Sequence, residues 1–158
     1  MMEKLDKIDR KLLNLCQKNA RCSLSSLAQQ VFLSAPAVSA RLERLEKLGI
    51  ISSYQAKINL QKLGYHITAF INLDMEPSQK PTFYPFIAEV PNVLECNCVT
   101  GQYSMLIKVA FPSTQELDQF IGRLQQFGKT YTQIVFSTAV GPRGIMLGEE
   151  AESKNEKE

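Results

Sequence analysis

Apolar residues recur at helical spacing through the first third of the chain and then switch to strand-like alternation, so two differently built parts follow one another. Leu5, Ile8, Leu12, Leu15 and Cys16 form one helical stripe, with Asp6, Asp9, Arg10 and Lys11 on the other faces. Asn19 to Arg21 ends that helix. Ser23 suits the cap of a shorter second helix whose inward positions are Leu24, Leu27, Ala28 and Val31. Ser34 caps a third, with Pro36 in the first turn, where a missing amide proton does no harm. Val38, Leu42 and Leu45 are its buried stripe, and Gly49 stops it. Ile50 to Ile58 then reads as a short extended segment. Three short helices with a tight second connection, followed by a strand, make a winged helix-turn-helix.

After a connecting strand and turn over Gln55 to Tyr65, broken at Gly64, alternation sets in. Ile67, Ala69, Ile71, Leu73 and Met75 face one way, and His66, Thr68, Asn72 and Asp74 the other. A helix carrying Phe83, Phe86, Ile87 and Val90 follows, with Pro85 limiting how early it begins. Strands over Val93 to Val99 and Tyr103 to Phe111 flank Gly101 as a hairpin. Ser113 caps an amphipathic helix with Leu117, Phe120, Ile121, Leu124 and Phe127 inward, and a last strand runs from about Thr130 to Val140. The order β-α-β-β-α-β is the ferredoxin-like split unit, so the fold class is α+β. Two helices cover one face of such a sheet. The other face is left apolar enough to call for a second copy, which predicts dimerisation through the sheets. The expected domains are residues 1–60, residues 61–145 and a charged, disordered tail over 146–158.

Charge sharpens this division. Residues 1–60 hold ten Lys and Arg against five acids, a net of +5, while the remainder carries a net of −3. A basic head on a mildly acidic body suits nucleic-acid binding. The start is charged with no signal-peptide core, and no apolar run reaches the ~18 residues a membrane helix needs, so the expected location is cytoplasmic, without membrane contact. The four cysteines are then expected as reduced thiols.

The outward side of the third helix carries the candidate chemistry. Pro36, Ala37, Ser39 and Ala40 are small and allow close approach to base edges, while Arg41 and Arg44 suit phosphate oxygens or guanine O6 and N7. The bland alternative is a solvated face with the two arginines paired to Glu43 and Glu46.

Here the chain resembles a family. Leu5 to Leu13, Ala20-Arg21, Leu27-Ala28, Leu33-Ser34, Val38, Arg41 to Glu46, Gly49 to Ile51 and Tyr54 are similar, in order and spacing, to the Lrp/AsnC feast/famine regulators of bacteria and archaea. The resemblance implies a sequence-specific transcriptional regulator whose recognition helix brings Ser34 to Arg44 to double-stranded DNA. It continues through Val93 to Tyr103, which resembles the core motif of the family's regulation-of-amino-acid-metabolism domain. It therefore implies an effector pocket between subunits of a dimer, tetramer or octamer, for an amino acid or other small metabolite. Carried over by position, the effector-binding residues are Thr100, Gly101, Gln102, Tyr103 and Ser104. Many relatives have Asp where Ser104 stands, and often an acid near Gln102, so the usual counter-charge for an ammonium group is missing here.

Other chemistry is thin. Cys96 and Cys98 share one face of a strand, but one histidine and no second cysteine pair make a zinc site a poor fit, and neither metal nor cofactor is expected. Cys16 falls on an apolar stripe, and His66 reads as a surface or interface residue. No catalytic constellation is present. The alternatives to a regulator are a tetrapyrrole-processing enzyme of similar architecture, resembling sirohaem decarboxylases, and a sensor that has lost operator binding. With His66 as its only histidine, the chain fits the enzyme poorly.

Overall fold

In the computed structural model, which describes residues 5–148, the three N-terminal helices begin where their caps place them. α1 (Lys7–Lys18) opens on a reciprocal box: the Asp6 carboxylate accepts the Asp9 amide at 2.8 Å, and the Asp9 carboxylate accepts the Asp6 amide at 3.2 Å. Ser23 caps α2 (Leu24–Val31) by accepting the Ser26 amide, and Ser34 caps α3 (Ala35–Lys47) by accepting the Ala37 amide. α3 closes in a turn where the Gly49 amide donates to Glu46 and the Ile50 amide to Leu45, the paired bonds of a Schellman closure. Leu12, Leu27, Ala28, Val31, Val38 and Leu42 form the buried cluster that holds the three helices together, with Ile8, Leu15 and Cys16 packed against it. Leu24, expected inward, stays 41% exposed at the start of α2.

The described residues divide into two units, one reaching to Lys57 and taking in residues 141–148, the other spanning Ile58–Val140. The first boundary falls close to the expected one. The second corrects the expectation that the sheet domain runs to 145 with a free tail after it. Asn14 of α1 exchanges two 2.9 Å hydrogen bonds with the backbone of Leu147, and the Gln17 amide donates to the Ile145 carbonyl at 3.1 Å, so residues 141–148 return to the first unit. The rest of the expected tail lies outside the described residues.

Ile50 to Ile58 forms no regular element and joins no ladder, so the expected wing strand is not formed among the described residues. A strand needs a neighbouring edge, and the sheet formed by the described residues is built in the other unit. One side-chain bond ties this segment to α3: the Tyr54 hydroxyl donates to a Glu46 carboxylate oxygen at 2.8 Å. Burial first, then the Glu46 carboxylate, push the Tyr54 phenol up to about 12.

The second unit is a four-stranded antiparallel sheet in the order β2-β3-β1-β4, formed by β1 (Ile67–Met75), β2 (Val93–Cys98), β3 (Met105–Phe111) and β4 (Gly128–Ile134). α4 (Lys80–Ala88) and α5 (Thr114–Leu124) cover one face. Ala69, Ile71, Leu73 and Met75 alternate inward on β1, as expected, and meet Phe83 and Ile87 of α4 and Leu117, Phe120 and Leu124 of α5 in one buried cluster. The opposite face mixes apolar and polar groups. Phe70 lies across from Lys108, whose ammonium sits 5.8 Å from its ring centre, and Asn72 pairs with Leu106 and Tyr131.

Three expected boundaries move. α4 begins at Lys80 with Pro85 inside it rather than ahead of it; both Pro81 and Pro85 are exposed, so the carbonyl left without an amide partner lies on the solvent side. β3 starts at Met105 instead of Tyr103, because the Val99 amide donates to the Ser104 carbonyl and closes a longer hairpin loop. β4 starts at Gly128, and it ends at Ile134 rather than Val140, because its partner β1 starts at Ile67. The Val135 amide bonds the Thr68 carbonyl, and beyond it Phe136 stands 98% exposed.

Gly128 marks a close approach that ties β4 to β1: a Cβ there would run into the Asp74 carbonyl oxygen. Gly128→Ala should destabilise the chain by roughly 1–3 kcal/mol in a urea melt. Gly122→Ala, on α5 with open space around it, should be neutral or stabilising by up to about 1 kcal/mol. Equal stabilities for the two variants would contradict this account of the β4 edge.

Candidate functional site

The first candidate surface is the outer side of α3. Val38, Leu42 and Leu45 are its buried positions, which leaves Pro36 and Ala40 exposed and Ala37 and Ser39 half-buried beside them. The cap Ser34 is exposed at the helix start. The Ser39 hydroxyl donates to Glu43 one turn on at 3.0 Å. Pro36, Ala37, Ser39 and Ala40 are all small, so the first two turns of α3 carry little side-chain bulk on this side.

Arg41 and Arg44 point elsewhere. Neither pairs with Glu43 or Glu46, as the bland reading had it; both guanidinium groups reach back to α1. Arg41 Nη1 lies 2.6 Å from Asp6 Oδ2 and 2.8 Å from Asp9 Oδ1, and Arg44 Nη2 lies 2.6 Å from Asp9 Oδ2. The Asp9 side chain is 1% exposed, so a buried carboxylate is held between two cations, with both oxygens accepting charge-assisted bonds. Arg41 keeps 29% of its side chain in solvent and Arg44 keeps 42%. For Asp6, burial works against ionisation, but the Asp9 amide and the Arg41 guanidinium outweigh it and hold the carboxyl below its usual value. The ionised Asp6 is therefore favoured by folding. Its contribution is present above the ordinary carboxylate pKa and is lost as pH falls through the depressed folded value. The helical stripes gave no hint of this network, although acids three apart on one helix and arginines three apart on another were its available signal.

A second feature escaped the sequence reading. Phe32, the residue that ends α2, has φ of 56°, the left-handed region, and no other non-glycine residue among those described has a positive φ. For a bulky side chain this conformation costs roughly 1–2 kcal/mol.

The second candidate surface is the hairpin loop of residues 99–104. Gly101, with φ of 114°, allows a turn that side-chain-bearing residues rarely make. Thr100, Gly101 and Gln102 are exposed, and the Tyr103 ring stacks on Tyr131 with centroids 6.4 Å apart. Ser104 behaves differently. Its amide donates to Leu73, and its hydroxyl donates to the Met75 carbonyl at 2.8 Å while accepting the Met75 amide at 3.0 Å. Its polar groups are thus spent on joining the hairpin to the end of β1.

Among the described residues no cluster of three or more His, Cys, Asp or Glu could hold a metal. Register places Cys96 and Cys98 on the helix-covered side of β2, opposite Ile107 and Met105, and the Lys80 ammonium lies 3.8 Å from the Cys98 sulfur. Burial, then the neighbouring Cys98, push the Cys96 thiol up, which disfavours its thiolate. Among the described residues no helix is long and apolar enough to cross a membrane.

Comparison with known proteins matches both parts. A winged helix-turn-helix DNA-binding family model fits residues 5–52, and an Lrp/AsnC ligand-binding-domain model fits residues 68–145. The HTH-type transcriptional regulator LrpA of Bacillus subtilis is 34% identical over 132 residues, covering 83% of this chain and 97% of that protein. The solved structure of B. subtilis LrpC superposes with a TM-score of 0.84 at 26% identity, over 89% of this chain and 100% of the other. The regulator NMB0573 of Neisseria meningitidis, solved as a complex with L-methionine, gives 0.83 at 26% identity, over 87% and 94%. These relatives are transcriptional regulators rather than enzymes, which sets the tetrapyrrole-processing alternative aside.

Replacing Asp9 by Asn keeps the shape but removes the charge that both arginines share. The loss should be about 2–3 kcal/mol in a urea melt, below the range for a fully buried pair because the guanidinium groups are partly hydrated. Glu43→Gln, on the exposed side of α3, should stay within about 0.5 kcal/mol of wild type. An Asp9→Asn protein as stable as wild type would show that the network does not hold the helices together.

Proposed function

The chain belongs to the Lrp/AsnC family of helix-turn-helix transcriptional regulators, and from that premise we propose that α3 enters the major groove with Ser34, Pro36, Ala37, Ser39 and Ala40 toward the bases. The supporting observation is the strip of small side chains on a helix whose inner side is clamped to α1. Small residues permit close approach, and the clamp keeps the helix from rolling as it docks. Arg44, the more exposed of the pair, extends its remaining N–H groups to a phosphate, while Arg41 serves chiefly as the brace. The protein acts in the cytoplasm as a dimer, or as a tetramer or octamer built from dimers. Paired recognition helices would meet half-sites about one helical turn, ~34 Å, apart. Self-association uses the sheet face that carries Phe70, Leu106 and Tyr131.

The hairpin loop is the effector site of this reading. A structural relative is solved with L-methionine, and an amino acid is the ligand class proposed here. Thr100, Gly101 and Gln102, exposed on the loop, and the half-buried Tyr103 are the residues assigned to it. Ser104 shapes it through Met75 rather than by touching the ligand, and no carboxylate stands at 100–104 to meet an ammonium group.

Ala40→Glu places a charge in the centre of the strip. It should weaken binding to genomic fragments selected by the wild-type protein by more than ~10-fold, with the melting temperature unchanged. Gel shifts with and without a panel of amino acids test both halves of the proposal. Ala40→Glu binding as tightly as wild type would remove α3 from the groove.

A further inference from the structure

Phe32 stands at the turn between α2 and α3, two residues before the Ser34 cap. Its neighbours behave as a turn in a packed domain requires: Val31 is buried, and Leu33 packs against the same cluster. Phe32 does not. Its ring is 89% exposed, and its backbone adopts the left-handed conformation that a glycine would take without strain. The strain is not offset by core packing. Among the described residues the Lys11 ammonium lies 5.6 Å from the ring centre, and such pairs are weak at exposed sites. A strained, solvated aromatic side chain beside a binding helix points to a role outside the isolated chain.

We infer that the Phe32 ring is a DNA-contacting residue, seated against the deoxyribose and thymine-methyl surface at the rim of the major groove, with Lys11 beside it meeting a phosphate. This rests on the reading of α3 as the recognition helix. Two observations choose DNA as the occupant. Phe32 ends α2 only two residues before the Ser34 cap, in the turn that delivers the N-terminus of α3. The group against it is a cation, which complements a phosphate backbone and not a basic or apolar protein surface. The left-handed backbone turns the side chain at this position outward while its two neighbours turn in.

The test compares wild type with Phe32→Gly, Phe32→Asn and Phe32→Tyr, using as the probe a fluorescently labelled genomic fragment that wild type retains. Gly and Asn relieve the backbone, so both variants should melt no lower than wild type, while binding the probe at least about fivefold more weakly. An apolar contact releases no counterions, so the salt dependence of binding should keep its slope. Phe32→Tyr, which retains the ring, should bind within about twofold of wild type. Undiminished binding by Phe32→Gly and Phe32→Asn overturns the inference, including the case where only assembly between protein copies changes. So does a loss of binding that tracks a lowered melting temperature, because the ring is then structural. If wild type itself retains no fragment, the regulator reading fails first and this inference with it.

Discussion

One buried carboxylate organises the DNA-binding unit. Asp9, 1% exposed, lies on α1 and accepts a guanidinium from α3 on each oxygen. A lone carboxylate in that position would cost several kcal/mol in lost hydration, so the site is tolerable only with both cations in place. That condition restricts how α3 can roll and slide against α1. Val38 and Leu42 share a buried cluster with Leu12 of α1, which supplies the non-directional part of the contact, and the ion pairs supply its direction. With Arg41 and Arg44 turned inward, the opposite side of α3 is left to small residues. The same placement of residues on α3 thus produces both the brace and the strip of small side chains.

The second unit depends on hydrogen-bond register in a comparable way. The hairpin after β2 is pinned by Ser104, whose hydroxyl takes both polar groups of Met75 at the end of β1. The exposed residues Thr100 to Gln102 are followed by a half-buried Tyr103 stacked on Tyr131. Ser104, an effector position by resemblance, thus joins the hairpin to β1 through its hydroxyl.

Much of the fold was legible because local chemistry decides it. The caps at Ser23 and Ser34, the stripe Val38, Leu42, Leu45 and the alternation from Ile67 to Met75 all act within a few residues and came out as read. What failed depends on distant partners. β4 stops at Ile134 because β1 starts at Ile67, and Ile50 to Ile58 is no ladder strand because the described chain offers it no edge. Residues 141–148 return to α1 through the Asn14 side chain, a contact without any periodic signature. The site shows the same split. The small outward strip follows from one helix alone, whereas the partners of Arg41 and Arg44 depend on how two helices cross. The left-handed Phe32 runs against local preference, so no propensity argument could have found it.

The central claim is that the α1–α3 ion network orients the recognition helix for DNA. A double-mutant cycle of Asp9→Asn and Arg41→Gln, read as binding to a genomic operator fragment under conditions where all four proteins are folded, measures it directly. The account predicts a coupling of at least about 1 kcal/mol, with the double variant binding little worse than the weaker single one. Losses that simply add would contradict it, because the two residues would then act on DNA independently.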